Sequence, residues 1–210
     1  MTEEIPVLYS FRRCPYAMRA RMAISVSETQ VRLRELLLRD KPDEMIEASP
    51  KGTVPVLVDG GRVIDESLAV MEWALAHHDP EEWLARQDRD LVTACDGDFK
   101  HHLDRYKYAT RYDGADPVEH REAGMAFLNK LEARLESGPY LCSEDRGHAD
   151  IAIFPFVRQF RIADPDWFDA APIPKTRDWL KRLMTSALFK SVMEKYPTWK
   201  DSGKEFMFPS

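Results

Sequence analysis

The sequence has no excess of positive charge and no long apolar segment. Its 210 residues carry 30 Lys and Arg against 36 Asp and Glu, a formal net charge of -6. A negative chain does not attract phosphate backbones or anionic lipid through its overall charge, so we expect neither nucleic acid nor a membrane as partner. No apolar run approaches the roughly 18 residues of a membrane span, and the acidic N-terminus does not resemble a secretory signal. We therefore expect a cytoplasmic protein.

Cysteine and histidine are also sparse, which bears on metal sites and disulfides. The three cysteines, Cys14, Cys95 and Cys142, have no CxxC spacing, so they fit neither a disulfide framework nor a zinc site. The histidines include the adjacent pairs 77–78 and 101–102. Because neighbours on a helix point about 100° apart, we expect that neither pair faces one metal ion and that the protein holds none.

The N-terminal part of the sequence alternates strand and helix patterns. The length favours two modest domains, with one larger domain as the alternative. Strands are predicted at residues 5–10, 31–38, 54–58 and 62–64, and helices at 15–26, 42–48 and 66–75. This order predicts a compact α/β domain over residues 1–77.

Beyond the break at residues 77–80, apolar residues recur at spacings of three and four. The helical segments predicted in this way are 81–110, 117–136, 149–160 and 175–195. We therefore predict an all-helical second domain over residues 82–210.

One segment, residues 12–19 (RRCPYAMR), concentrates the reactive chemistry of the sequence. Cys14 lies where the first predicted strand passes into the first predicted helix, and Pro15 suits a first helical turn. A helix N-terminus and nearby arginines both stabilise a thiolate over a thiol. We therefore predict that Cys14 is a nucleophile at neutral pH. The alternative is a small buried apolar residue, as a free cysteine commonly is.

Cys14-Pro15-Tyr16-Ala17 resembles the glutaredoxin active-site turn with its second cysteine replaced by alanine. That pattern is typical of the omega-like cysteine class of glutathione transferases. Residues 49–57 (SPKGTVPVL), 65–67 (DES) and 147–152 (GHADIA) are similar to further segments of the family, in the same order. The resemblance covers nearly the whole chain. It implies the glutathione transferase fold, a thioredoxin-like α/β domain followed by an all-α helical bundle.

The resemblance also implies a glutathione site around a catalytic Cys14. In the family, a cis-proline exposes the backbone of the preceding residue to the cysteinyl part of glutathione, and a helix N-terminus receives the γ-glutamyl group. A lysine lies near the glycyl carboxylate. The glutathione-binding residues implied here are Tyr16, Lys41, Val54, Pro55, Glu66 and Ser67. The alternatives are a surface lysine at position 41 and a plain helix cap at positions 66–67.

Two positions depart from the family pattern. Gly147 stands where the capping box of the family has Ser or Thr, so only Asp150 can supply a side-chain capping interaction. We expect this loss to cost a few tenths of a kcal/mol of stability. Ala17 replaces the second cysteine, which disfavours an intramolecular dithiol mechanism. Turnover would then pass through a mixed disulfide between Cys14 and glutathione.

Other hydroxyl and thiol groups are weaker candidates for the chemistry. Tyr9 and Ser10 precede the motif and are the alternative activating hydroxyls, as in Tyr- or Ser-based transferases, but Cys14 occupies the helix start. Cys95 and Cys142 have no basic cluster beside them, so we expect inert or merely oxidisable thiols.

Aromatic residues of the second domain are candidates for a co-substrate pocket. We predict Tyr106, Tyr108 and Phe156 as its walls. Aromatic residues at helical spacing are more often part of a core, which is the alternative. Further plausible wall residues are Tyr112, Phe160 and Trp199.

The function that the resemblance implies is glutathione-dependent thiol transfer, including reductive deglutathionylation. The Cys14 thiolate would attack a mixed disulfide, and free glutathione would resolve the Cys14 adduct. Glutathione is the co-substrate, and the second substrate is a small molecule or a glutathionylated protein. Two alternatives stay open, namely glutathione conjugation or isomerisation of small electrophiles, and a non-catalytic interaction module of the same fold. The resemblance further implies a homodimer.

Overall fold

A five-stranded sheet organises the first of two units in the computed structural model, which describes residues 4–210. The strands are β1 (Val7–Ser10), β2 (Val31–Glu35), β3 (Val56–Asp59), β4 (Arg62–Ile64) and β5 (Phe206–Phe208). Their order is β4-β3-β1-β2-β5, with β1 parallel to β2 and every other neighbouring pair antiparallel. The helices of the sheet region are α1 (Pro15–Val26), α2 (Asp43–Ala48) and α3 (Ser67–His77).

The connections of this sheet confirm the predicted thioredoxin-like arrangement. Helix α1 links the parallel strands β1 and β2, as a parallel pair requires a crossover. Strands β3 and β4 form the predicted hairpin, whose turn residues Gly60 and Gly61 have φ values of 53° and 89°. Glycine adopts these left-handed conformations without the steric cost of a Cβ.

The second unit, Glu82–Ser186, is helical, which confirms the predicted class. Its helices are α4 (Arg89–Ala94), α5 (Lys100–Lys107), α6 (Pro117–Arg134), α7 (His148–Ala163), α8 (Pro165–Ala170) and α9 (Pro174–Thr185). A π-helical turn, Cys95–Phe99, joins α4 to α5, and short 3-10 turns lie at Trp83–Ala85 and Ala109–Arg111. The ring of Phe99 stacks between Phe127 and Phe160 at centroid distances of 4.6 and 5.3 Å. Among residues 4–210, no helix combines the length and the apolar character needed to cross a membrane.

The C-terminal segment belongs to the first unit, which differs from the predicted boundaries of 1–77 and 82–210. Contacts group the chain up to Glu81 with Ala187–Ser210. Helix α10 (Ala187–Val192) packs on α1, and after α11 (Trp199–Ser202) strand β5 pairs with β2. Glu205 reinforces this pairing, because its carboxylate accepts from Arg32 Nη1 at 3.2 Å and Arg34 Nε at 3.0 Å. A three-residue strand carries too little alternation to be recognised in the sequence.

Gly147 is required by close packing at the start of α7. Its N–H donates to Asp150 Oδ2 at 2.9 Å, so the acidic half of the capping box is formed. A Cβ at Gly147 would lie 2.3 Å from Arg86 Cβ and 2.9 Å from Arg86 O. The N–H of Ala149 donates to that same Arg86 carbonyl at 3.3 Å. Gly147 is therefore more than the tolerated cap that the sequence led us to expect.

We expect Gly147→Ser to lower the free energy of unfolding by about 2 kcal/mol or more, because the new Cβ overlaps the backbone of Arg86. Cap preference alone predicts the opposite sign. Urea denaturation followed by circular dichroism measures the change. The matched control is Gly97→Ser, where an added Cβ meets nothing within 4 Å and the helix should gain up to about 0.5 kcal/mol. Equal stability of Gly147→Ser and the parent would contradict the packing argument.

Candidate active site

Cys14 is the N-cap residue of helix α1. Its N–H donates to Phe11 O at 2.9 Å, and its carbonyl accepts from the N–H of Met18 at 2.9 Å. The first turn of α1 contains Pro15 and no acidic residue. The half-buried thiol is thus at the positive end of a helix, where a thiolate is favoured. This is the location that the sequence predicts.

The thiol faces the loop that precedes β3. Cys14 Sγ lies 3.7 Å from Val54 O, and the Val54–Pro55 bond is cis, as the resemblance implied. Together with Phe11, Cys14 packs against a buried apolar cluster. The members of that cluster are Val7, Tyr9, Ala17, Leu36, Met45, Val54 and Val56.

The N-terminus of α3 has its own set of polar contacts. Glu66 precedes the helix, and its carboxylate makes an ion pair with Lys51 instead of capping the first turn. The buried Ser67 accepts at Oγ from Arg19 Nε at 3.0 Å, which leaves its own hydroxyl proton to donate elsewhere. The first N–H groups of α3 are not capped by the Glu66 side chain, and uncapped N–H groups at a helix N-terminus can donate to an anionic group.

The loop between α2 and β3 carries further predicted residues. Ser49 Oγ donates to Asp65 Oδ2 at 2.7 Å, which fixes this loop to the segment before α3. Lys41 Nζ lies 3.8 Å from the position of a Cβ built on Gly52, so the ammonium is beside the same loop. On α1, the guanidinium of Arg19 lies over the ring of Tyr16 at 5.0 Å. The residues predicted for glutathione all lie in the first unit.

The hydroxyls of Tyr9 and Ser10, the two alternative activating groups, belong to buried residues of strand β1. The side chain of Tyr9 is 3% exposed, and its hydroxyl accepts from Arg34 Nη1 at 2.8 Å. Burial raises the pKa of Tyr9, with Arg34 acting in the opposite direction. Ser10 is fully buried at the end of β1. A buried hydroxyl is poorly placed to activate the thiol of a bound substrate.

Two family matches account for most of the chain. The N-terminal domain of glutathione S-transferases matches residues 8–83, and the C-terminal domain matches residues 81–182. The chain belongs to the glutathione transferase family. Members of this family use glutathione as co-substrate.

Relatives of this glutathione transferase are similar over most of their length. Glutathione S-transferase U19 of Arabidopsis thaliana is 27% identical over 208 residues, with 91% of each chain covered. The probable glutathione S-transferase parA of Nicotiana tabacum is 26% identical over 200 residues, covering 91% of this chain and 89% of the relative. Among solved structures, the Tau class glutathione S-transferase of mango, Mangifera indica, has a TM-score of 0.74 at 21% identity, covering 92% of this chain and 94% of that one. The likeness in structure confirms the fold.

The aromatic residues predicted for a co-substrate pocket divide into two groups. Phe156 and Phe160 on α7 are fully buried, so they are core residues with no exposed surface to offer a ligand. Tyr106 and Tyr108, at the end of α5, are half-buried, and their pocket role stays a prediction. Trp199 belongs to the first unit, where Arg34 lies over its ring at 4.1 Å. Two clefts of the helical unit, with volumes of 410 and 660 Å³, are lined by other residues.

The remaining cysteines differ in exposure. Cys95 is fully buried in the helical unit, and Cys142 is exposed. Although the residue is exposed, partial loss of solvent around its sulfur raises the pKa of Cys142, and the carboxylates of Asp150 and Asp88 act in the same direction. A raised pKa disfavours the thiolate, in keeping with the expectation of an unreactive thiol.

Sequence reasoning missed a buried ion pair beneath the Cys14 loop. Glu35 Oε1 accepts from the backbone N–H of Arg12 at 2.7 Å, two residues before Cys14, and Glu35 Oε2 accepts from Arg21 Nη1 at 3.3 Å. The rings of Phe208 and Tyr196 flank the Arg21 guanidinium at 5.2 and 5.7 Å. The sequence of β2 does indicate that Glu35 is buried, because side chains alternate along a strand and Glu35 lies on the same face as the buried Val31 and Leu33.

The charge of Arg21 opposes the cost of burying Glu35. Burial raises the pKa of Glu35, while the Arg12 N–H and the charges of Arg21 and Arg12 lower it. Burial likewise lowers the pKa of Arg21, and Glu35 raises it. The pair is therefore sensitive to the loss of one partner.

We expect Arg21→Met to destabilise the protein by about 3 kcal/mol at neutral pH, because it leaves the Glu35 carboxylate buried without its cation. The loss of Arg21 raises the pKa of folded Glu35 further above its value in the unfolded chain. The penalty therefore grows as pH rises from the unfolded-state pKa towards the folded-state pKa, levels off above it, and shrinks as Glu35 becomes protonated in both states. Urea denaturation at pH 5.5 and 7.5 measures this difference. In the control Arg21→Met/Glu35→Gln, the added pH dependence should disappear. A penalty independent of pH in the single variant would contradict the assignment.

Proposed function

We propose that this glutathione transferase is a glutathione-dependent thiol transferase of the omega-like cysteine type, with Cys14 as nucleophile. The observation that carries the proposal is the placement of the thiol at the N-terminus of α1, with Sγ 3.7 Å from Val54 O. Cys14 is the reactive group nearest the segments implied for glutathione, whereas the Tyr9 hydroxyl is engaged with Arg34. Thiolate chemistry at this position supports disulfide exchange.

The first unit offers groups for each part of glutathione. We propose that the γ-glutamyl carboxylate binds at the N-terminus of α3 and accepts from the Ser67 hydroxyl, which Arg19 orients. The Glu66 carboxylate faces the ammonium group of the same moiety. The cysteinyl part pairs with the backbone of Val54 before Pro55, beside Tyr16, and the glycyl carboxylate lies near Lys41.

The proposed reaction has two balanced exchanges. In the first, the Cys14 thiolate attacks the glutathione sulfur of a mixed disulfide. A Cys14–glutathione disulfide forms, and the other thiol leaves as a thiolate that takes a proton from solvent. In the second, the thiolate of free glutathione attacks this disulfide, which releases oxidised glutathione and restores the Cys14 thiolate. Ala17 provides no second thiol at the motif, so the resolving thiol comes from glutathione.

Glutathione conjugation to small electrophiles is the second candidate. It is favoured by the names of the relatives, which include glutathione S-transferase U19 and, among solved structures, the Tau class enzyme of mango. Other relatives are named pyrimidodiazepine synthase and probable maleylacetoacetate isomerase. Conjugation requires activation of the glutathione thiol itself, so it does not consume the Cys14 thiolate.

Replacing the proposed nucleophile separates the two chemistries. We expect Cys14→Ser to reduce thiol transfer from a small mixed disulfide to the uncatalysed rate, while conjugation to a small electrophile survives or increases. The matched control, Cys142→Ser, removes an exposed cysteine outside the site and should leave both rates unchanged. Intact-mass spectrometry after incubation with oxidised glutathione should detect one adduct on the parent, which reduced glutathione removes, and none on Cys14→Ser.

Three other outcomes would contradict the proposal. If Cys14→Ser retains thiol transfer, another group is the nucleophile. If the parent only conjugates, the protein is a conjugating transferase. If Cys14 stays unmodified and neither activity is measured, a non-catalytic interaction module of the same fold is the better description.

We further propose a homodimer in the cytoplasm, with glutathione and a small-molecule or glutathionylated substrate as partners. One solved relative, from Leishmania, is described as a trimeric glutathione transferase, so the number of subunits needs its own measurement. Light scattering on the purified chain should give twice the chain mass. A monomer or trimer mass would contradict the dimer.

A further inference from the structure

Three histidines converge in the helical unit, on residues that the proposed glutathione chemistry does not use. His101 and His102 lie on α5, and His120 lies in the first turns of α6, which packs beside α5. One ring nitrogen from each of the three lies within 4.8 Å of the others. The closest approach is 2.9 Å, between Nδ1 of His102 and Nδ1 of His120.

This geometry differs from the sequence expectation that adjacent histidines cannot face one ion. The Cβ atoms of neighbouring helical residues diverge, but an imidazole reaches well beyond Cβ through two rotatable bonds. The rings of His101 and His102 meet edge to face, with centroids 5.0 Å apart. His120, approaching from α6, lies 5.8 Å from His101 and 5.2 Å from His102 by the same measure. The third histidine of the cluster therefore comes from a different helix, 18 positions after His102.

The protonation of the cluster suits metal binding. Two ring nitrogens at 2.9 Å share one hydrogen, so at least one of His102 and His120 presents a lone pair to the cluster. Neutral imidazole is the form that coordinates a metal.

One contact must change when the three rings bind an ion. Arg105 Nη1 lies 3.0 Å from His101 Nδ1, and the Arg105 guanidinium also lies over the ring of Tyr112 at 4.4 Å. His101 is exposed, so it can release this contact by rotating its side chain, or ligate through its second nitrogen.

We propose that His101, His102 and His120 bind one transition-metal dication of the Zn²⁺ class, with water in the remaining position. Imidazole is a preferred ligand of Zn²⁺, Cu²⁺ and Ni²⁺, whereas Ca²⁺ and Mg²⁺ select oxygen. Zn–N bonds of about 2.0 Å in a tetrahedral site place neighbouring donor atoms about 3.3 Å apart. The three nitrogens, all within 4.8 Å, reach that spacing by side-chain rotation. The bound ion links α5 to α6.

Calorimetric titration of the full chain with Zn²⁺ tests the site. The protein is used without an affinity tag and in the Cys14→Ser/Cys142→Ser background, because accessible thiols would compete for Zn²⁺. We expect one ion per chain and a higher melting temperature in its presence, because the ion binds the folded state. Tetrahedral Co²⁺, used as a spectroscopic probe, should give visible bands of nitrogen ligation without a thiolate charge-transfer band.

Single replacements identify the ligands. His101→Gln, His102→Gln and His120→Gln should each weaken Zn²⁺ binding by at least about tenfold. The matched control, His77→Gln/His78→Gln, removes the other adjacent pair and should bind as tightly as its parent. Because His101 is exposed, its variant should fold even if replacement at His102 or His120 disturbs the helix pair. No binding by the parent, or unchanged binding by His101→Gln and His120→Gln, would overturn the proposal.

Discussion

Burial of two positive charges in α1 is the constraint on which the arrangement around Cys14 depends. Arg19 and Arg21 are 2% and 0% exposed. A buried guanidinium destabilises the fold unless other groups compensate it. The Arg19 guanidinium donates to Ser67 Oγ at the start of α3, and the Arg21 guanidinium forms an ion pair with Glu35 at the end of β2. Helix α1, whose N-cap is Cys14, is thus fixed on one side to α3 and on the other to the sheet. The same Glu35 binds the backbone at Arg12 and so fixes the entry to that helix.

Local signals were enough to predict most of the first unit. The apolar runs, the paired glycines of the β3–β4 turn and the position of Cys14 each depend on residues close together in the sequence. The cis bond at Val54–Pro55 came from the family resemblance, because a sequence alone favours trans. The sequence did not predict strand β5 or the packing of the C-terminal segment on the first unit, because β5 pairs with β2 through residues about 175 positions apart.

The polar interior was the least predictable part of the site. Helix α1 was predicted, but the burial of its two arginines, Arg19 and Arg21, was not. A charged residue is read as exposed unless its partner is known, and both partners come from other elements. The histidine cluster was not predicted for the same reason, since His120 lies 18 positions from His102. Pairings of this kind are decided by tertiary structure.

The α/β unit is assembled from both ends of the chain, and this has a consequence for synthesis on the ribosome. Strand β2 is complete at Glu35, but β5 begins only at Phe206. At 5 to 20 residues per second, about 10 to 35 s pass between the two. During that time the outer edge of β2 has no strand beside it, and Arg21 lacks the aromatic ring of Phe208. An uncovered strand edge is a site for unwanted pairing. The edge of β2 in the nascent chain is therefore exposed to aggregation until β5 has left the exit tunnel.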